Sequence, residues 1–274
     1  MIKQYFNSAS FKYFLPNWIF GFSLLAFFYF VIDTAKPFER KFSIDNPTLQ
    51  YPFATKETVS DNLLYFLSVI IPGVLITLVS LYQKRKLQIS KYDWLNLLSI
   101  SLLGLLLSFT ITAVVTDVLK IWIARPRPDF LARCAAKKNT DPTKLVGFEV
   151  CTKPYGDMIL YDGLKSTPSG HSSISFAGLL YLSLWLIGQF KLVPSKSLAY
   201  AYFVPSLPIF LATYISLSRT QDYRHHFLDI ILGGAIGIIF SYSIYFSLFS
   251  PLKSNNSNQA NVQVVQENEL SLPK

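Results

Sequence analysis

All three histidines of this 274-residue chain, His171, His225 and His226, fall inside two short polar stretches: STPSGHSS from Ser166 and SRTQDYRHHFLD from Ser218. A third stretch, KIWIARPRPDF from Lys120, adds closely spaced cations. Imidazole exchanges protons near neutral pH and can attack as a nucleophile, so this sorting favours chemistry over packing. Lys120, Arg127 and Arg219 are long cations, and an Arg fork matches phosphate oxygens in pairs. The PSGH segment adds the Ser169 hydroxyl and the Gly170 amide at the positive end of the helix that follows. Cations, amides and imidazoles together suit phosphoryl transfer. No acidic cluster has the spacing to hold magnesium and no Cys/His set has zinc spacing, so the expectation is catalysis with no metal and no cofactor.

His225 and Asp229 are four residues apart at the start of an apolar run, a spacing that places two helical side chains on one face. Taken as lying beyond the first turn, an ionised Asp229 costs about 2.5–3.5 kcal/mol inside a membrane helix and needs a partner. His225 is the expected one, with Asp229 fixing its tautomer and stabilising its cationic form. Arg125, Arg133 and Arg224 read as cations that snorkel to headgroups, and Asp222 as a solvated loop charge. His226 and Asp129 read as local support.

Half of the chain is hydrophobic (51%), and six long apolar runs stand out, at 18–34, 63–82, 94–118, 174–190, 198–217 and 227–249. Each can cross about 30 Å of hydrocarbon as a helix, which predicts an all-α polytopic bundle of six transmembrane helices. The first run lacks a usual cleavage site and reads as a retained span. Pro72 with Gly73, and Pro205 with Pro208, predict bends in the second and fifth helices. The three polar stretches follow the third run, open the fourth and separate the fifth from the sixth. By the count of crossings they share one membrane face, where the active site is expected.

The membrane domain is expected to occupy residues 1–250, with residues 251–274 a disordered polar tail. Lys84, Arg85, Lys86 and Lys91 form a basic turn on the opposite face, which the positive-inside rule assigns to the cytosol together with both termini. The only cysteines, Cys134 and Cys151, lie in the long loop between the third and fourth runs. They are a disulfide if that loop faces an oxidising compartment, and two free thiols otherwise. A net charge of +9 points to anionic lipid or an anionic substrate. The basic residues form no continuous stripe, which argues against nucleic acid. No internal repeat supports a transporter of duplicated halves.

At these residues the chain resembles the type-2 phosphatidic acid phosphatase, or lipid phosphate phosphatase, superfamily, whose signature is K-x6-RP, PSGH and SR-x5-H-x3-D. The match runs from Lys120 to Arg127-Pro128, through Pro168-Ser169-Gly170-His171, to Ser218-Arg219, His225 and Asp229. PFERKFSIDNPTLQYPFATKETV, RPDFLARC and TPSGHSSISFAGL look like the fungal diacylglycerol pyrophosphate phosphatases in particular. The resemblance implies that His225 attacks phosphorus to give a phosphohistidine, Asp229 orients it and His171 protonates the departing oxygen. Lys120, Arg127, Arg219, Ser169 and Gly170 would bind the phosphoryl oxygens. It further implies magnesium-independent hydrolysis of phosphatidate, lysophosphatidate and diacylglycerol pyrophosphate in a vacuolar, Golgi or endoplasmic reticulum membrane. Alternatives on the same scaffold are phosphatases of polyisoprenyl pyrophosphates or sphingoid phosphates. A non-enzymatic lipid transporter or scramblase is the alternative of another class, and it would need the cations but not the histidines.

Overall fold

The six apolar runs fold into six helices long and apolar enough to cross a membrane: α1 (Ala9–Ile32), α2 (Asp61–Lys86), α3 (Lys91–Ile123), α6 (Gly170–Gln189), α7 (Ala199–Gln221) and α8 (Phe227–Leu248). Two short helices, α4 (Phe130–Cys134) and α5 (Gly156–Asp162), lie in the loop between α3 and α6. The structure is a computed structural model and describes residues 5–261. Among them no β-strand forms, only isolated bridges. α1 starts well before residue 18, because the Ser8 side chain caps it and Pro16 is accommodated inside. α3 runs to Ile123 rather than 118. α6 starts at Gly170, capped by Ser169, rather than at 174.

The expected bend in the second helix is a π-helical segment, Phe66–Ile70, directly before Pro72. The wider turn sets the Ile71 N–H on the Phe66 carbonyl, immediately ahead of the proline that has no N–H. In α7 Pro208 lies inside the helix and Pro205 in its first α-helical turn, after a 3-10 turn at Ala199–Tyr202.

α6 sits at the centre, packed on α8, α7 and α3. Its buried face is built of small residues, among them Ser172, Ser173, Ser175, Ala177 and Gly178. Without a hydrophobic drive between helices in lipid, close backbone approach is what holds such a bundle together. Gly233 and Gly237 of α8 supply it: a Cβ at either would collide with the carbonyl of Ser169 or Ser173. This contact fixes the start of α8 against the start of α6, the two helix mouths that carry His225 and His171.

Residues 33–60 and 124–169 form a layer over that end of the bundle, around an apolar core that includes Phe42, Leu49, Phe130, Leu160 and Leu164. Cys134 and Cys151, left open between disulfide and free thiols, are joined as a disulfide inside this layer. The tail departs from its expectation near its start. Residues 251–261 fold over the far end of α6, where the Ser257 hydroxyl donates to the Gly188 carbonyl and Gln189 Nε2 donates to the Asn258 carbonyl. The last carbonyls of a helix need donors, and Ser257 provides one to Gly188. The remainder of the expected tail, 262–274, lies outside the described residues.

Candidate active site

Beneath the capping layer lies a cavity of about 830 Å³ whose lining includes Lys120, Arg127, Gly170, His171, Arg219 and His225. Six of the eight expected residues therefore meet from the end of α3 and the segment that follows it, the start of α6, the end of α7 and the turn before α8. Its walls divide in character. Lys36, Lys153 and Lys165 add charge on the side of the capping layer, whereas Phe28, Leu64, Ala113 and Ile174 come from helices that cross the membrane.

His225 is buried, and its Nδ1 lies 2.6 Å from the Ser166 carbonyl. An Nδ1–H donating there leaves the Nε2 lone pair free, which is the tautomer a nucleophile needs. Burial first, then Arg127, Arg219 and Lys120, hold its imidazole well below the ordinary value. A base with a depressed pKa stays neutral until the pH falls through that lowered value. Corrected for substrate ionisation, the acid limb of kcat/KM is expected below about pH 6.5. Lys120→Met removes one of the cations and should move the limb upward. A limb above that value, unmoved by the substitution, would refute this account.

The expected pairing of Asp229 with His225 is not found. Asp229 takes the Arg125 guanidinium at 2.8 Å, the Ser166 hydroxyl at 2.6 Å, the Thr167 hydroxyl, and the backbone N–H of His226. His226 is the N-cap of α8 and Asp229 its third residue, so the two form a capping box. His225 thus precedes the helix, and the four-residue helical spacing does not apply to it. Nor is Asp229 beyond the first turn, as the sequence suggested. Its link to His225 runs through Ser166, which donates to Asp229 with its hydroxyl and accepts from His225 with its carbonyl. Ser169 also stands back from the cavity: its hydroxyl accepts from the Ser172 N–H and its own N–H donates to the Asp229 carbonyl. Gly170 lies where a Cβ would be 2.7 Å from Lys120 Nζ.

The second histidine is held differently. His171 Nε2 lies 2.9 Å from the Val59 carbonyl and its Nδ1 3.8 Å from Asp61. Val59 also accepts from Arg219 Nη1 at 2.9 Å, and Glu57 pairs with Arg219 at 3.0 Å and Arg224 at 2.7 Å. The loop before α2 is therefore part of the site. The sequence assigned it no place in the site, since nothing in its local pattern tells where it folds. Arg219 Nε, buried and unpartnered, remains as an N–H for an anion.

Three expected surface charges are structural instead. Arg133 is 1% exposed and joins Asp129 to Asp162. Arg224 is buried against the Phe53 ring. Asp222 accepts from the Thr58 amide at 2.9 Å and hydroxyl at 2.7 Å, tying the loop before α2 to the end of α7. Arg125 does not snorkel freely either, being committed to Asp229. Asp162, unmarked in the sequence, receives Arg127 at 2.8 Å and Arg133 at 2.7 Å. Burial alone would push its carboxyl up, but those two guanidinium groups hold it well below the usual carboxylate range.

The carboxylates on the cavity wall are largely committed to cations: Glu57 to Arg219 and Arg224, Asp117 to Lys120, and Asp162 to Arg127 and Arg133. Among the described residues no group of three or more His, Cys, Asp or Glu is placed to hold a metal ion. What the cavity offers an anion is a set of Lys and Arg side chains, the Gly170 end of α6 and two imidazoles.

A family profile described as the PAP2 superfamily matches residues 101–250, which hold all three polar stretches. The chain is 40% identical over 236 residues to a probable diacylglycerol pyrophosphate phosphatase 1 of Schizosaccharomyces pombe, covering 86% of this chain and 81% of that one. It is 41% identical over 220 residues to the diacylglycerol pyrophosphate phosphatase 1 of Saccharomyces cerevisiae, covering 79% and 73%. To lipid phosphate phosphatase 2 of Arabidopsis thaliana it is 32% identical over 222 residues, covering 81% and 72%. No solved structure matches the chain.

Proposed function

The chain belongs to the PAP2 superfamily, and from that premise we propose that it is a membrane phosphatase that hydrolyses phosphatidate, lysophosphatidate and diacylglycerol pyrophosphate through a phosphohistidine, without magnesium. The observation that carries this is the buried His225, its Nδ1 tied to a backbone carbonyl, in a cavity lined by Lys120, Arg127 and Arg219.

The phosphoryl oxygens sit among Lys120, Arg127, the free Nε of Arg219 and the amide end of α6, which stabilise charge as it spreads in the transition state. His225 Nε2 forms a bond to phosphorus while the bond to the leaving oxygen breaks. His171, with Nε2–H donating to Val59, delivers the proton on Nδ1 to that oxygen. Water then attacks phosphorus as His171 takes its proton, the P–N bond breaks, and phosphate leaves with neutral His225 restored. Asp229 acts one residue removed: with Arg125 it holds Ser166, whose carbonyl keeps the imidazole in register.

The mixed walls of the cavity suggest how a lipid is presented. Its phosphate meets the cations while its acyl chains remain in the bilayer, reaching the site laterally past Phe28, Leu64 and Ile174. Water-soluble phosphate esters should therefore be poorer substrates, and equal turnover of both would rule out lateral access. The disulfide belongs to the same capping layer as the site, which supports an orientation with that face in an oxidising compartment and the basic turn at Lys84, Arg85 and Lys86 in the cytosol. This suits a vacuolar, Golgi or endoplasmic reticulum membrane.

The deciding assay uses purified protein and phosphatidate in mixed micelles with excess chelator. Phosphate release should persist at the rate seen with magnesium. A fall of tenfold or more on chelation, restored by the metal, would overturn the metal-free mechanism.

A further inference from the structure

Behind the ion pair of Arg125 and Asp229 lies a second pocket, of about 270 Å³, lined by Arg40, Lys41, Arg125 and His226 together with Ser43, Asn46 and Thr48. It shares no lining residue with the catalytic cavity. Two features mark it as more than a crevice. The Nε2 of His226 is buried there without a partner, although its Nδ1 lies 3.2 Å from Asp229. Arg40 is fixed in place by donating through Nε and Nη2 to the Ile123 carbonyl, at 3.0 and 2.8 Å. No carboxylate lines the pocket: Asp229 sits behind Arg125 and His226, and Glu149 lies within electrostatic range of Lys41 but outside the lining. Cations gathered without a lining carboxylate, around an unsatisfied imidazole nitrogen, are a combination that an anion completes.

We propose that this pocket is a second anion site that binds a phosphate group through Arg40, Lys41, Arg125 and His226. The volume suits a phosphate or glycerophosphate group and excludes a whole lipid, whose chains would remain outside. Exposed apolar side chains neighbour the pocket in the chain: Trp122 (73% exposed) and Ile123 precede Arg125, and Phe227 and Leu228 follow His226. Side chains of this kind suit the lipid–water boundary, so a phospholipid headgroup and free phosphate both have access. In either case the anion accepts from the Nε2–H of His226, whose side chain caps the Asp229 N–H through its other ring nitrogen.

The test is of binding and stands apart from hydrolysis. Phosphatidylinositol, which carries a phosphodiester and no terminal phosphate, and radiolabelled inorganic phosphate are each titrated onto detergent-purified full-length protein. The double variant Arg40→Gln/Lys41→Gln alters only exposed side chains, and Arg127→Gln serves as the control for the catalytic cavity. Phosphatidylinositol, counted by native mass spectrometry, should bind at least about tenfold more weakly to the double variant and unchanged to Arg127→Gln. Loss of phosphate binding alone in the double variant would keep the site and make free phosphate its occupant. Unchanged affinity of the double variant for both probes, or loss only in Arg127→Gln, would overturn the proposal.

Discussion

His225→Ala is expected to lower kcat for phosphate release by about a thousandfold or more while the protein still inserts and keeps its fold, because the proposed mechanism forms its covalent intermediate on this imidazole and uses the other imidazole of the cavity, His171, as the acid. The measurement has two parts. Turnover of phosphatidate reads the loss, and rapid quenching with phosphate-labelled lipid reads the intermediate as acid-labile, alkali-stable label on the wild-type chain alone. His226→Ala should retain the label, since His226 caps α8 and lies outside the catalytic cavity. Residual activity above a few per cent in His225→Ala, or loss of the label in His226→Ala instead, would move the nucleophile.

The second large effect is on stability. Arg133 is enclosed, with Asp129 at 2.9 Å and Asp162 at 2.7 Å, and its guanidinium stacks on Phe53. Arg133→Ala leaves Asp129 buried with Arg224, at 3.5 Å, as its remaining ionic partner among the described residues. Breaking a buried pair from one side costs about 3–5 kcal/mol. In a domain of this size that corresponds to a fall of about 10 °C in the unfolding midpoint in detergent. Activity should fall as well, because Asp162 is shared with Arg127, the proposed phosphate ligand, whose orientation depends on the pair. Arg133→Lys keeps the charge without the fork and should recover part of the stability. A midpoint within about 2 °C of wild type for Arg133→Ala would show that the cluster contributes little.

These expectations differ in how far the chain itself revealed them. His225 was marked by its type, its position at a helix mouth and its place in a spaced signature. Arg133 was read as a cation that snorkels to headgroups. A lone arginine in a polar loop carries no local trace of whether it faces water or two carboxylates, and only the folding of α4 against α5 decides it. Asp162, Glu57 and the Val59 carbonyl escaped notice for the same reason. Glu57 and Val59 lie in an irregular segment and Asp162 ends the short helix α5, where no sustained period relates sequence position to direction in space.

Asp229 shows the limit from the other side. Its type and burial were legible, since an ionised carboxylate opening an apolar helix must find partners, but its partner was inferred from helical spacing. The helix begins at Phe227, two residues too late for that geometry to include His225, and a cap position is settled by the contacts around it rather than by a count of four. By itself the sequence determined the six crossings, the shared face of the three polar stretches and the identity of the cations and imidazoles, because hydrophobic length and the parity of crossings are properties of the chain. Tertiary structure alone decided which charge meets which, that the loop before α2 enters the site, and that a second basic pocket exists. Those depend on distances between segments far apart in sequence, which close packing at Gly233 and Gly237 sets and no local pattern encodes.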